Sequence, residues 1–268
     1  METGVVIRNM GTQSTRETMA GCARAIEEMG FDSVWVVDHI AIPPDDAEGS
    51  GGRYMDVLSS LAWLAGITER VKLGSGVLIL PYRAALPTAK QIATIQELSG
   101  NRLLMGMGIG WMDPEFKALG LNRHTRGRVS DETLAFLNDC FASDEVEANG
   151  QKFLFKPRPP KPPFLIGGRA PHAIERAAKF GDGWYPLAKT PSDIADHLPR
   201  YRALTDAAGK PPGFINISAR LPLDDMAESR DLVAGYREAG VDRMVCGVAY
   251  ETVDDFRAGL DKLRDVTG

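Results

Sequence analysis

Apolar positions along this chain alternate between continuous apolar runs and helical spacing. Residues 4–8 hold Val5, Val6 and Ile7 in one run and predict a buried strand. Over 15–29, Met19, Cys22, Ala23, Ile26 and Met29 share one helical face, and Gly30 ends the helix. The same alternation predicts strands over 33–37, 71–78 and 102–107, and helices over 56–67, 86–98 and 128–141. It resumes with strands over 164–166, 183–185, 214–220 and 242–246. The helices that follow them are expected over 171–180, 192–208, 227–239 and 252–264. Between these halves, 142–163 breaks the rhythm. Its Lys156-Pro157-Arg158-Pro159-Pro160-Lys161-Pro162-Pro163 run cannot donate to a sheet ladder and predicts a surface connector between the fourth helix and the fifth strand.

Eight strand–helix units predict an α/β chain folded as one closed (β/α)8 TIM barrel spanning 1–268. An open doubly wound sheet more often uses five or six units. The uninterrupted apolar strands fit a parallel sheet buried on both faces.

Composition narrows the function. Lys and Arg total 31 and Asp and Glu 36, a net charge of −5. That balance argues against general nucleic-acid binding. No apolar run reaches the length of a membrane span, and no signal peptide is visible at the start. The three cysteines, Cys22, Cys140 and Cys246, are widely spaced and odd in number. A reducing, cytoplasmic setting follows as the expectation. The four histidines form no zinc motif.

A barrel of this kind carries its site at the strand carboxyl ends. Those ends read Asn9; Asp38 and His39; Gly76 and Val77; Gly108, Gly110 and Trp111; Gly167, Gly168 and Arg169; Trp184; Arg220; and Gly247. Glycine allows close backbone approach to a ligand, and the interleaved aromatic and polar residues suit a flat ring system. His39 reads equally as a proton-handling group or as a packed loop histidine. Gly74-Ser75-Gly76-Val77, alone, is a strand bend. Gly106-Met107-Gly108-Ile109-Gly110-Trp111 is not the dinucleotide fingerprint, because the final glycine is missing. Gly167-Gly168-Arg169, before a helix, is either a phosphate loop or a tight turn with a solvated arginine. Trp35 and Trp63 read as packing residues, whereas Trp111 and Trp184 are placed to wall a pocket. His124, His172 and His197 are expected at the surface.

Several blocks together resemble the bacterial luciferase-like superfamily, most closely its coenzyme F420-dependent oxidoreductase branch. They are Gly30-Phe31-Asp32-Ser33-Val34-Trp35 leading to Asp38-His39; Leu73 through Arg83; Ala89 through Thr94 with Leu98 to Arg102; and Gly108-Ile109-Gly110-Trp111 with Glu115-Phe116 and Leu119-Gly120. The resemblance implies a barrel with a deazaflavin or flavin across its mouth. It places a non-proline cis peptide at Gly76-Val77, under the ring, and an active-site histidine at His39. It matches cofactor contacts to Asp38, Gly76, Val77, Gly108, Ile109, Gly110 and Trp111, and a phosphate loop to Gly167, Gly168 and Arg169. Sugar-phosphate dehydrogenases of that branch have a glutamate where this chain has Trp111. An indole cannot protonate a ring, so the resemblance points to another small organic substrate with an apolar or planar part.

The implied activity is hydride transfer between coenzyme F420 and an organic substrate. An FMN-dependent monooxygenase and a non-catalytic flavin- or deazaflavin-binding protein are the rival readings. The resemblance also implies a homodimer. The loop 43–54, with its Gly49-Ser50-Gly51-Gly52 tip, is placed to act as a lid.

Overall fold

A computed structural model of the chain describes residues 1–187 and 190–268. In chain order the first half runs β1 (Glu2–Val6), α1 (Arg16–Glu28), β2 (Ser33–Val36), α2 (Val57–Ile67), β3 (Lys72–Ile79), α3 (Ala85–Leu98), β4 (Leu103–Gly108), α4 (Asp113–Ala118) and α5 (Arg126–Ala142). A small hairpin, β5 (Glu145–Ala148) and β6 (Gln151–Leu154), follows. The second half runs β7 (Phe164–Gly168), α6 (His172–Phe180), β8 (Gly183–Pro186), α7 (Pro191–Ala195), α8 (Leu198–Ala207), β9 (Phe214–Ala219), α9 (Met226–Glu238), β10 (Arg243–Gly247) and α10 (Val253–Thr267).

Eight of the strands close into a parallel barrel in the order β1-β10-β9-β8-β7-β4-β3-β2, while β5 and β6 pair only with each other. The (β/α)8 expectation is met, with strand ends shifted by one or two residues. Helix termini follow from local chemistry. Thr15 caps α1 by accepting from the Thr18 amide, and Asp56 caps α2 by accepting from Ser59. Thr252 and Asp255 form a reciprocal capping box at α10.

The barrel interior is filled by Trp35, Leu104, Leu165, Tyr185 and Val245. Trp35 is fully buried and donates to the Ser33 hydroxyl at 2.8 Å. Its indole occupies space that glycines leave: a Cβ at Gly74 would lie 2.2 Å from the Trp35 ring, and one at Gly4 would lie 2.4 Å from its nitrogen. A second, larger core lies between strands and helices and includes Val34, Leu73, Met105, Ile166 and Trp184.

Three elements depart from the sequence expectation. The helix predicted over 192–208 is two helices, because Pro199 in the first turn of α8 cannot continue the ladder of α7. The connector over 142–163 is partly ordered: β5 and β6 are joined at Asn149 and Gly150, both at positive φ, the backbone that an Asn-Gly hairpin turn requires. Its proline-rich half carries no strand or helix. The short helix α4 lies in a stretch with no predicted element, and it carries a residue of the site.

Candidate active site

The carboxyl ends of the barrel strands surround a cleft of about 390 Å³. One side is built by β3. Its register against β4 shifts between Ser75 and Leu78, and the Gly76–Val77 peptide within that shift is cis. Gly76 and Val77 line the cleft with Gly108, Ile109 and Gly110 from the end of β4 and Gly167 and Gly168 from the end of β7. These glycines sit where backbone and neighbours are close. A Cβ at Gly108 would lie 2.6 Å from Val77 Cγ2, and one at Gly167 would lie 3.2 Å from the Met107 carbonyl oxygen. Gly168 has φ 134°, a conformation that favours glycine.

His39 lines the cleft just beyond β2, the strand paired with β3, with its side chain 16% exposed. Tyr54 packs on it edge-on at 5.0 Å and Trp111 at 6.3 Å between ring centroids. Its Nδ1 lies 2.9 Å from Glu115 Oε2. Glu115, on α4, is fully buried. It also accepts from the amides of Ile40 and Ala41 and from the Tyr82 hydroxyl, the last at 2.8 Å. Burial opposes ionisation of Glu115, but the two amides, the imidazole and the phenol outweigh it and hold its pKa below the ordinary carboxylate value. Burial, reinforced by the Glu115 carboxylate, pushes the Tyr82 phenol up, so Tyr82 stays protonated and donates. An ionised carboxylate only accepts. In neutral His39 the proton therefore sits on Nδ1, and Nε2 keeps a free lone pair.

Asp38, next to His39, plays a different part. Its carboxylate accepts from the Ile79 amide at 2.9 Å and from both Arg83 terminal nitrogens, at 2.6 and 2.9 Å. Arg83 also donates to Asp56 at 2.7 Å. Burial pushes the Asp38 carboxyl up, and the bidentate Arg83 offsets part of that. Asp38 lines the cleft, but its oxygens are committed to fastening the β2 and β3 ends together. Asp38 is the single formally charged side chain among the described lining residues. The mouth is apolar as well: Trp111 and Leu187 line the cleft and are 63% and 71% exposed.

The remaining candidates separate. Arg169 is exposed and lies outside the cleft lining, although its carbonyl begins α6 by accepting from Ala173. Trp184 does not wall the pocket. It points to the helix layer, 5.9 Å from the Tyr201 ring, and its neighbour Tyr185 faces the cleft with its hydroxyl 2.7 Å from Ser218 Oγ. Adjacent strand residues face opposite sides, so a one-residue offset exchanges core for cleft. Arg220 and Gly247 border a different cleft. His172 and His197 are exposed, as is His124. Glu115 and Tyr82 were not anticipated as functional. Among the described residues, no group of metal-ligating side chains is brought together and no helix is long and apolar enough to cross a membrane.

Residues 1–254 match the family model described as luciferase-like monooxygenase. A 5,10-methylenetetrahydromethanopterin reductase of Methanolobus tindarius is 29% identical over 208 residues, covering 75% of this chain and 59% of that one. An uncharacterized protein of Mycobacterium tuberculosis is 29% identical over 210 residues, 72% of this chain and 73% of its own. Among solved structures, monooxygenase RslO1 from Streptomyces bottropensis superposes with TM-score 0.81 at 18% identity, covering 99% of this chain and 98% of that one. An F420-dependent secondary alcohol dehydrogenase bound to an F420-acetone adduct does so with TM-score 0.80 at 16% identity, covering 98% and 99%. At these identities the structural likenesses speak for the shared barrel alone.

Proposed function

This chain belongs to the luciferase-like monooxygenase family, and from that membership we propose that it is an oxidoreductase moving hydride between coenzyme F420 and a small, uncharged organic substrate. The observation that carries the reading is His39, fixed through Nδ1 by a buried, ionised Glu115 so that Nε2 is left to a glycine-floored, apolar cleft. The residues present fit a flat ring. Gly76, Gly108 and Gly167 let Val77 and Tyr185 pack closely into the cleft floor, Val77, Ile109 and Tyr185 supply apolar contact, and Gly168 stands at the amino end of α6 where a phosphate would be held. The sequence blocks that resemble the F420-dependent branch, from Gly30 through Gly120, favour that coenzyme over FMN.

The coenzyme, when bound, supplies a hydride acceptor or donor. The chain supplies position and protons. His39 Nε2 takes the hydroxyl proton of an alcohol, or returns one to a carbonyl oxygen in the reverse direction. The imidazolium formed in the first case is stabilised by Glu115 across 2.9 Å. Tyr54 and Trp111 hold the imidazole plane and exclude water from it. With Asp38 neutralised by Arg83 and no free cation among the described lining residues, the cleft is built for a neutral substrate.

Fluorescence titration of the purified protein with F420 and with FMN is the test. Submicromolar FMN binding with weak F420 binding would replace this reading with the flavin monooxygenase one. Coenzyme binding without absorbance change across a panel of secondary alcohols and ketones would replace it with a non-catalytic binder. His39→Ala should lower turnover far more than coenzyme affinity.

A further inference from the structure

A second cleft on the carboxyl face, about 690 Å³, plays no part in the chemistry above. It opens where β9, β10 and β1 end and is closed on its outer side by α10. Three cationic side chains line it: Arg8 just beyond β1, Arg220 immediately after β9, and Lys262 on α10. The one carboxylate there, Asp224, pairs with Lys262 at 2.9 Å from a position that is 99% exposed, where such a pair holds weakly. Arg220 is exposed, and no hydrogen bond or ion pair engages it among the described residues. Arg8 is held in place: its amide donates to the Tyr250 hydroxyl at 2.8 Å and its Nη2 donates to the Gly49 carbonyl at 2.9 Å. Its Nε is buried with no acceptor. Its Nη1 is neither buried nor engaged by an acceptor among the described residues, and it is the donor left for an anion in the cleft.

We infer that this cleft is an anion-binding site for a phosphate-type group, with Arg220 and Arg8 as its principal ligands and Lys262 as a supporting charge. The chain as a whole carries a charge of −5, so a cleft with three cations against one paired carboxylate is not a sample of its average surface. Guanidinium groups match phosphate oxygens in geometry as well as charge. The loops after the seventh and eighth strands of a (β/α)8 barrel are also where such barrels commonly hold phosphate. Here those strands are β9 and β10.

The anion has two possible sources. It is a free phosphate compound, or it is the charged end of a molecule whose other end lies in the catalytic cleft. The two clefts are neighbours across β9, with Ser218 lining one and Ala219 the other. The Arg8–Gly49 bond further ties the anion cleft to the loop that presents Tyr54 to His39.

The inference does not depend on the proposed activity, because its test begins with coenzyme-free protein. Isothermal titration with sodium phosphate and sodium pyrophosphate should show a saturable site that depends on Arg220. Arg220→Ala should weaken it by about tenfold or more, as expected for loss of a charge-assisted contact. The Arg220→Ala/Lys262→Ala double variant should weaken it further, and Arg169→Ala should leave it unchanged. Arg220 is exposed and unpaired, so its variant should melt with the wild type. Repeating the titration with F420 present identifies the source. Competition, together with weaker F420 binding by Arg220→Ala, assigns the anion to the coenzyme; simultaneous binding assigns it to a separate phosphate compound. Absence of wild-type binding, equal binding by Arg220→Ala, or loss of binding in Arg169→Ala instead would overturn the assignment.

Discussion

Replacing Glu115 by glutamine keeps the shape of the side chain and changes what its two terminal atoms offer. In the wild type both are acceptors, shared among the Ile40 and Ala41 amides, Tyr82 Oη at 2.8 Å and His39 Nδ1 at 2.9 Å. The amide oxygen of glutamine can still serve the two backbone amides, but its NH2 then meets two donors. A hydrogen bond to a charged group contributes about 1.5–3 kcal/mol and a neutral one about 1 kcal/mol. Weakening two such bonds and reversing two others should destabilise the fold by roughly 2–4 kcal/mol. The NH2 can be accommodated at His39 only if Nδ1 becomes the acceptor, which moves the neutral proton to Nε2. A base turned to the wrong tautomer should lose about 10²–10⁴ in turnover. The tautomer is measurable without any substrate. Nitrogen-15 spectra of histidine-labelled protein contain four imidazoles, and His39→Gln identifies the relevant one. The stability difference also carries a pH signature. The folded pKa of Glu115 lies below its ordinary value of 4.5, so its contribution is complete above that pH and is lost as pH falls through the folded pKa. The gap between wild type and Glu115→Gln should therefore narrow under acid. An unchanged His39 tautomer with unchanged urea stability in Glu115→Gln would refute the whole relay.

Other consequences are simpler to read. Gly74→Ala places a methyl 2.2 Å from the buried Trp35 ring, and overpacking of a rigid barrel centre should cost about 1–3 kcal/mol or more, seen in urea denaturation. Gly108→Ala puts a methyl 2.6 Å from Val77 Cγ2 at the cleft floor, so coenzyme affinity should fall while the melting temperature changes less than for Gly74→Ala. Burial pushes the Cys246 thiol up to about 12 and those of Cys22 and Cys140 up to about 11. None should react with a disulfide reagent at pH 8 until denaturant is added, and rapid modification of the native protein would contradict that burial. Trp111→Ala should raise KM for an apolar substrate more than it lowers kcat, because the indole touches His39 edge-on and lies at the mouth rather than within the hydrogen-bonded relay.

The barrel was legible because burial on both faces turns each parallel strand into an apolar run that alternates with helical spacing. What escaped was short or interrupted. Helix α4 has six residues, too few to express a period. The helix broken at Pro199 kept its apolar spacing on both sides of the break, so periodicity alone joined α7 to α8. The Asn149-Gly150 turn was a readable hairpin signal, obscured by the prolines that follow it.

The site divides along the same physical line. Its glycines and His39 were found because a barrel collects its chemistry at strand ends, a rule that needs only the strand boundaries. Trp184 was misassigned because that rule does not say which of two adjacent residues faces inward, and Tyr185 takes the cleft. Glu115 lay beyond reach for a stronger reason. Its hydrogen-bond donors come from the loop after β2 and from Tyr82 beyond β3, which lie 74 to 76 and 33 residues away. The signal for it was local and slight: Pro114 in the first turn of a helix, then an acidic residue beside the buried Phe116. A carboxylate with no exposure must find several donors or lose its charge. Four groups are arranged to keep that charge, one of them the imidazole facing the cleft. The buried anion thus does two things at once: it ties the loop after β2 to α4 and to Tyr82, and it fixes the tautomer of the one ring that faces the cleft, which leaves the other nitrogen to handle a proton.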